Sequence, residues 1–158
     1  MWLVVSDSHD NILKMKEIEK IIEKEKITTV FHCGDFVAPF VLPYLVKDGV
    51  NFFGVFGNND GEKLLLFQKS NGRIRPGPLE ITIGDYKIMM MHEPYALKSI
   101  EKSNIYDFVF FGHTHEIVER KEGDALIVNP GESSGWLTGV STVALIEPLE
   151  KKAKIIKI

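Results

Sequence analysis

Five short apolar segments of this chain run directly into residues that can bind a metal ion. Each segment has the length and composition of a buried β-strand. The motifs that follow them are, in chain order, Asp7-Ser8-His9, Gly34-Asp35, Gly57-Asn58-Asn59-Asp60, His92 and Gly112-His113-Thr114-His115. Because open α/β sheets bind ligands at the carboxyl ends of their strands, this pattern predicts one site built from several distant segments.

The first half of the chain alternates between continuous apolar segments and segments of helical period. We predict three helices with strands between them, and Asp10 or Asn11 is the expected N-cap of the first helix. The predicted strands are Trp2–Ser6, Thr28–His32 and Asn51–Phe56, and the helices are 11–25, Pro39–Val46 and Glu62–Lys69. Continuous apolar strands separated by helices indicate a parallel sheet that is covered on both faces.

The second half of the chain is dominated by antiparallel pairs. Turn signals at Gly84-Asp85 and Glu122-Gly123-Asp124 predict two hairpins, and residues 71–78 read as a loop between the halves. The predicted strands are Leu79–Ile83, Tyr86–Met91, Asp107–Phe111, Ile117–Lys121, Ala125–Asn129, Thr142–Glu147 and Lys152–Ile158, with one helix over Tyr95–Lys102. We therefore expect a single α/β domain over residues 1–158, with two sheets face to face and helices outside.

Composition excludes several classes of protein. The 158 residues are 44% hydrophobic, enough for a substantial core. The net charge of −3 provides no electrostatic field that would attract nucleic acid or acidic membranes. The single cysteine, Cys33, excludes a disulfide framework and fits a reducing compartment. The N-terminal apolar stretch lacks a basic region, so we predict a strand there and not a signal peptide. No segment has the ~20 apolar residues that span a bilayer. We expect a cytoplasmic protein, with a homo-oligomer as a possible state.

Each motif taken alone can be understood without a metal. His32 is interpreted as a packed histidine, and Asp60 as the cap of the following helix. The remaining motifs are compatible with a helix cap at Asp7, solvent exposure of His9, turns at Gly34-Asp35 and at Asn58-Asn59, a buried core position for His92 and a solvated turn at 112–115. These metal-free roles would have to coincide at five strand ends, which favours the metal site.

The number and type of donors fit two metal ions. The motifs supply oxygens from Asp7, Asp35 and Asn58, together with four imidazoles. Two ions roughly 3.5–4 Å apart require a bridging group such as a carboxylate. Mixed imidazole and carboxylate ligands suit Mn, Fe, Zn or Co better than Mg or Ca, which prefer oxygen alone.

The ordered motifs resemble those of the calcineurin-like metallophosphoesterase superfamily across the whole chain. The signature is Asp-x-His, Gly-Asp, Gly-Asn-x-Asp/Glu, a lone His and Gly-His-x-His. Three segments are similar in sequence to those of the small capless archaeal and bacterial phosphodiesterase branch. They are His32-Cys33-Gly34-Asp35, Gly57-Asn58-Asn59-Asp60 and Asn129-Pro130-Gly131-Glu132.

This resemblance implies a four-layer αββα sandwich of two mixed sheets flanked by helices, with a dinuclear site. One ion would be held by Asp7, His9, Asp35 and His115, and the other by Asp35, Asn58, His92 and His113, with Asp35 bridging. Manganese is the expected metal, with Ni²⁺, Fe, Co²⁺ or Zn²⁺ as alternatives.

The resemblance also assigns functional roles. Asp35, Asn58 and His92 are predicted to be catalytic, and Asn58 and Asn59 to contact substrate. Loop 129–134 either offers N–H groups and hydroxyls at the same rim or is a plain turn. Many superfamily members carry a histidine at the position of Asn59 that is thought to protonate the leaving group, so this chain lacks that acid. Glu93 is a second departure, because a carboxylate there repels an anion unless it points away.

The expected function is metal-dependent hydrolysis of a small phosphodiester. One alternative is hydrolysis of phosphomonoesters or nucleotides. Another is a binding scaffold without catalysis, because the fold resembles the metallophosphoesterase-like subunit of retromer. A scaffold does not require all seven ligand positions, and here all seven are of ligand type.

Overall fold

Two mixed β-sheets lie at the centre of the protein. The structure is a computed structural model that describes residues 1–158. The strands are β1 (Trp2–Val5), β2 (Thr29–His32), β3 (Asn51–Val55), β4 (Ile74–Arg75), β5 (Leu79–Ile83), β6 (Tyr86–Met90), β7 (Phe108–Phe110), β8 (Ile117–Glu122), β9 (Ala125–Pro130), β10 (Thr142–Glu147) and β11 (Lys152–Lys157). The helices are α1 (Ile12–Lys24), α2 (Leu42–Leu45), α3 (Lys63–Lys69) and α4 (Leu97–Lys102).

The six-stranded sheet has the order β11-β10-β1-β2-β3-β4, and the five-stranded sheet has the order β5-β6-β7-β9-β8. Strands β1 to β4 are mutually parallel, because α1, the α2 segment and α3 carry the chain back between them. In the second sheet β6, β7 and β9 are parallel, and the two predicted hairpins add the antiparallel strands β5 and β8 at the edges. Both sheets are therefore mixed, as expected.

Three clusters of buried hydrophobic side chains lie between the four layers of helices and sheets. Strand β1 contributes side chains to two of these clusters, since successive side chains of a strand point to opposite faces of the sheet. Leu3 and Val5 pack with Met15 and Ile18 of α1, whereas Trp2 and Val4 pack between the sheets. A third cluster lies between the second sheet and α4. The αββα sandwich predicted from the resemblance is confirmed.

The structure differs from the predicted elements at two places. Residues 71–78, expected as a loop, contain the short strand β4, whose backbone pairs with β3. A two-residue strand has no periodicity to detect, so its pairing is visible only in three dimensions. The predicted helix over 39–46 is a 3₁₀ turn at Pro39–Val41 followed by α2. None of the helices combines the length and apolar character needed to cross a membrane.

Candidate metal centre

The carboxyl ends of five parallel strands, three in one sheet and two in the other, bring the predicted ligands together. All seven side chains lie within five residues of the end of β1, β2, β3, β6 or β7. Two groups have donor atoms within 4.8 Å of one another: Asp7, His9 and His115, and Asp7, Asp35 and His92. One compact site is therefore formed by segments that are more than 100 residues apart in sequence.

The first part of the site joins the loops after β1 and β7. His115 Nε2 lies 3.2 Å from Asp7 Oδ1. His9 Nε2 lies 4.0 Å from the same Asp7 oxygen and 3.5 Å from Asp35 Oδ2. Asp7 and Asp35 are buried, whereas the two histidines remain partly open to solvent.

The second part of the site centres on the amide oxygen of Asn58. His92 Nε2 and His113 Nδ1 each lie 2.9 Å from Asn58 Oδ1. His92 Nε2 also lies 3.5 Å from Asp35 Oδ1. The two oxygens of Asp35 thus face different groups of donors, Oδ2 towards His9 and Oδ1 towards His92, which is the arrangement that a bridging ligand needs.

Unpaired lone pairs in the site suit a cation. Asp7 Oδ1 and His9 Nε2 are buried and have no hydrogen-bond partner. His92 Nδ1 is 2.7 Å from the carbonyl oxygen of Cys33 and donates to it, so a neutral His92 presents a lone pair at Nε2. That lone pair faces the Asn58 oxygen, a second acceptor. Buried acceptors that face each other are unfavourable unless a positive charge lies between them, and imidazole, carboxylate and amide donors suit a transition metal.

The backbone of the site is held in an uncommon conformation. Five of the predicted ligands have left-handed φ angles, a region that side chains other than glycine rarely adopt. The residues are Asp7 (52°), His9 (39°), Asp35 (59°), His113 (66°) and His115 (58°). Such strain costs about 1–3 kcal/mol per residue and is typical of functional sites that the surrounding fold holds in place.

Two glycines allow the ligand loops to approach one another. A Cβ atom at Gly57 would lie 2.1 Å from Asp35 Oδ1, and one at Gly112 would lie 1.9 Å from Ser6 Oγ and 2.8 Å from Asp7 Oδ2. Neither contact is sterically possible. Glycine at these positions is thus required by close packing against the carboxylates.

Opposite charges stabilise each other within the site. Burial disfavours the charged form of Asp7, but the nearby imidazole of His115 and a hydrogen bond from Ser6 outweigh burial, and the pKa of Asp7 lies below its ordinary value. The same contact with Asp7 raises the pKa of His115. Asp7 is therefore ionised at neutral pH, and any proton that His115 holds against Asp7 has to leave when His115 binds a metal.

Glu132 is a buried carboxylate beside the site to which sequence reasoning gave no role. It is fully buried, and its carboxylate accepts hydrogen bonds from Ser134 Oγ (2.6 Å), Thr138 Oγ1 (2.7 Å) and Leu137 N (3.0 Å). Burial opposes its ionisation, yet these hydrogen bonds hold the pKa of Glu132 below its ordinary value. Glu132 Oε2 lies 3.5 Å from His115 Nδ1, on the side of the ring where a carboxylate can support a metal-ligating imidazole.

The N–H groups and hydroxyls of Ser133 and Ser134, in the loop containing Glu132, are used within the protein. The N–H groups of Ser133 and Ser134 donate to the carbonyls of Ser6 and Asp7, at 2.9 and 3.0 Å. Their hydroxyls donate to Ser6 O and to Glu132. Three of these four groups fix the segment that carries Asp7, which favours the alternative of a structural turn.

Asp60 and Asn59 both support other loops. Asp60 accepts hydrogen bonds from the N–H groups of Val37 and Gly57, each at 2.7 Å, and makes no cap on α3. Its assignment as a helix cap was wrong. Asn59 donates to both oxygens of Asp35 at 2.8 Å, one from its backbone N–H and one from its carboxamide. A role for Asn59 in substrate binding stays a prediction.

His32 is packed beneath the site. It is fully buried, stacks on Phe36 with ring centroids 3.7 Å apart, and lies 2.9 Å from Ser8 Oγ through Nε2. Its Nδ1 accepts from the N–H of Gly34, so the ring is neutral. Burial lowers the pKa of His32 to about 3. His32 is therefore unsuited to donate a proton to a leaving group at neutral pH.

Burial of neutral His32 predicts a loss of stability in mild acid. The unfolded chain takes up a proton at this residue below the ordinary histidine pKa of 6.5, whereas the folded protein does so only near 3. Unfolding is then favoured as pH falls through this window, by up to about 1.4 kcal/mol per pH unit. In metal-free protein, urea unfolding between pH 4.5 and 6 should show a steeper dependence for the wild type than for His32→Gln. An equal pH dependence of the unfolding free energy in the two proteins would contradict the assignment of His32 as a buried, neutral residue.

Comparisons with known proteins agree with this geometry. Residues 1–151 match the calcineurin-like phosphoesterase superfamily domain. A phosphodiesterase of Methanocaldococcus jannaschii is 34% identical over 155 residues, covering 94% of this chain and 93% of the relative. The solved structure of an archaeal phosphodiesterase superimposes with a TM-score of 0.89 at 33% identity, covering 99% of both chains.

A more distant likeness concerns the fold alone. Vacuolar protein sorting 29 of Chaetomium thermophilum superimposes with a TM-score of 0.70 at 18% identity, covering 99% of this chain and 94% of that protein. The same architecture is thus shared by a protein described as a phosphodiesterase and by one described as a vacuolar sorting protein. Function must be argued from the site and not from the fold.

Proposed function

This chain belongs to the calcineurin-like phosphoesterase superfamily, and from that premise we propose that it is a phosphodiesterase with a dinuclear metal centre. The observation that carries the proposal is the position of Asp35. Its two carboxylate oxygens face separate groups of donors, with His9 on one side and His92 on the other, each 3.5 Å away.

The seven predicted ligands divide between two divalent ions. Asp7, His9 and His115 would hold one, Asn58, His92 and His113 the other, and Asp35 both. The bound ions would lower the pKa of water and neutralise the phosphoryl oxygens. We propose Mn²⁺ as the metal, with Ni²⁺, Fe, Co²⁺ or Zn²⁺ as the alternatives that the donor set admits.

The side chains position the reacting groups. Hydrolysis forms a bond from water oxygen to phosphorus while the bond from phosphorus to the leaving alcohol breaks, and the products are an alcohol and a phosphomonoester. Asn58 is exposed at the mouth of the site, where its amide can orient the phosphoryl group. Asn59 holds the carboxylate of Asp35 through two hydrogen bonds.

Two observations favour a diester over a monoester. The relative that is 34% identical is described as a phosphodiesterase. The site is also bordered on two sides by surfaces that can receive an organic group. Trp136, which is 66% exposed, donates from its indole to the carbonyl of His9 on one side, and a cleft opens beside Asn58 and His92 on the other.

The proposal extends to the size of the substrate, the cellular location and the oligomeric state. The substrate is proposed to be a small phosphoester, and the protein to act in the cytoplasm, in keeping with its single, buried Cys33. Nothing in the charge pattern favours a nucleic-acid polymer as the substrate. Assembly as a homo-oligomer stays a prediction.

Metal content and substrate preference test the proposal together. Protein reconstituted with Mn²⁺ should hold about two equivalents of metal, because the donors form two groups around one bridging carboxylate. It should hydrolyse bis(p-nitrophenyl) phosphate faster than p-nitrophenyl phosphate. Preference for the monoester would support the alternative activity, whereas no bound metal and no hydrolysis would favour a scaffold.

The absence of a leaving-group acid predicts a strong dependence on the leaving alcohol. Neither Asn59 nor neutral His32 can donate a proton, so aryl diesters should be cleaved much faster than alkyl diesters. Asn59→His introduces a titratable donor and should reduce this difference. The measurement is turnover against leaving-group pKa for both proteins. A flat dependence in the wild type would show that another group supplies the proton.

A further inference from the structure

A cleft of about 340 Å³ opens directly beside the metal centre. Asn58 and His92, two of the predicted ligands, form part of its lining. Four other lining side chains carry distinct chemistry: Phe56, Lys63, Glu93 and Tyr95. No role in metal binding has been assigned to these four residues.

The two walls of the cleft come from different sheets. Phe56 follows β3 of the six-stranded sheet and Lys63 begins α3, whereas Glu93 and Tyr95 follow β6 of the five-stranded sheet. The same two segments supply Asn58 and His92. A substituent on a phosphorus atom bound beside these two ligands therefore has a direct path into the cleft.

The two walls carry opposite charges. Lys63 takes part in none of the salt bridges of the structure, and its ammonium lies 5.9 Å from the centroid of the Phe56 ring. Glu93 accepts a hydrogen bond from the Tyr95 hydroxyl, which leaves further acceptor capacity on the carboxylate. Tyr95 is 63% exposed, so its aromatic ring is accessible from the cleft that it lines.

These features define the group that fits. The volume lies near the lower end of the range for small-molecule sites, roughly 300–1,000 Å³, and suits one small substituent better than a polymer. Hydroxyls can donate to Glu93, a carbonyl can accept from Lys63, and a planar base can stack on Tyr95. A second phosphate would be repelled by Glu93. A neutral nucleoside combines all three required features.

We propose that the cleft is a nucleoside subsite and that Lys63 and Glu93 determine substrate choice. The protein is then a phosphodiesterase for small diesters with one nucleoside substituent. This inference rests on the proposed function, since the cleft is defined by its position beside the phosphoryl site. It assigns to Glu93, the unexpected carboxylate of the lone-histidine motif, a role in binding sugar hydroxyls.

Two esters with the same leaving group test the subsite. They are thymidine 5′-(p-nitrophenyl phosphate) and ethyl p-nitrophenyl phosphate, and the readout is the ratio of their kcat/KM values with the Mn²⁺-loaded protein. The wild type should favour the thymidine ester. Lys63→Gln and Glu93→Gln should each lower the ratio by about tenfold or more, chiefly through KM for the thymidine ester, since each removes a hydrogen bond to a charged group.

Two variants outside the cleft serve as matched controls for the loss of charge. Lys69→Gln removes the same charge from the other end of α3, and Glu119→Gln removes an exposed carboxylate from β8; both should leave the ratio unchanged. A direct readout is calorimetric titration of thymidine into the metal-free protein, where both cleft variants should bind more weakly than the wild type.

The results separate this inference from the proposed function. A ratio near one in the wild type, or the same ratio in all variants, would overturn the subsite while leaving phosphodiesterase activity in place. If neither ester is cleaved, the proposed function fails, and the titration with thymidine still decides whether the cleft binds a nucleoside.

Discussion

Asp35→Asn is expected to release both metal ions and to slow diester hydrolysis by more than about 100-fold, since changes to residues that only orient metal ligands already cost roughly 10–100-fold. The substitution removes the charge that faces both groups of donors. It also places an amide –NH₂ against Asn59, which donates to both oxygens of the native carboxylate. Two donors then face each other in a buried site.

Metal content and turnover should be measured together on Asp35→Asn. Asp48→Asn is the matched control, because Asp48 is exposed and makes no salt bridge. The variant should retain less than one equivalent of Mn²⁺, whereas the control should retain the wild-type content. Normal turnover with intact metal content would show that Asp35 does not bridge, and the division of ligands into two sites would have to be abandoned.

Gly57→Ala is expected to have a nearly equal effect, although Gly57 supplies no ligand. The added Cβ would lie 2.1 Å from Asp35 Oδ1 and 2.4 Å from the backbone nitrogen of Asp35. Because backbone cannot give way as a flexible side chain can, the loop carrying Asp35 must shift. A displacement of about 1 Å in a catalytic group can cost about 100-fold in rate.

Gly61→Ala is the control for this prediction, since a Cβ at Gly61 meets nothing within 4 Å and Gly61 lies in the same connection between β3 and α3. Thermal unfolding of both variants distinguishes a local shift from a failure to fold. Gly57→Ala should lose activity and Mn²⁺ affinity while keeping a cooperative transition. Full activity in Gly57→Ala would falsify the close contact on which this prediction depends.

The elements that were predicted well are those whose side chains repeat with a clear period. Strand β1 is continuously apolar because both of its faces are buried, and α1 shows the helical pattern of buried Met15, Ile18 and Ile22. These patterns are local consequences of burial, so they can be read from the sequence. The succession of strands and helices along the chain, with a ligand motif after five of the strands, followed from the same patterns.

The elements that were missed depend on contacts between distant segments. Strand β4 exists because its backbone pairs with β3. Asp60 accepts from Val37 instead of capping α3, because the chain folds so that the loop after β2 lies beside it. No local pattern distinguishes an aspartate that caps a helix from one that braces a neighbouring loop.

The sequence by itself determined the donor types, their order and their placement at strand ends, since each depends only on residue identity and local period. The tertiary structure decided which donors face one another, that Glu132 lies 3.5 Å from His115 although 17 residues separate them, and that Lys63 and Glu93 share a cleft. The physical reason is that a side-chain contact between segments depends on strand register and loop conformation. Both are fixed by the packing of the whole core, to which every element contributes.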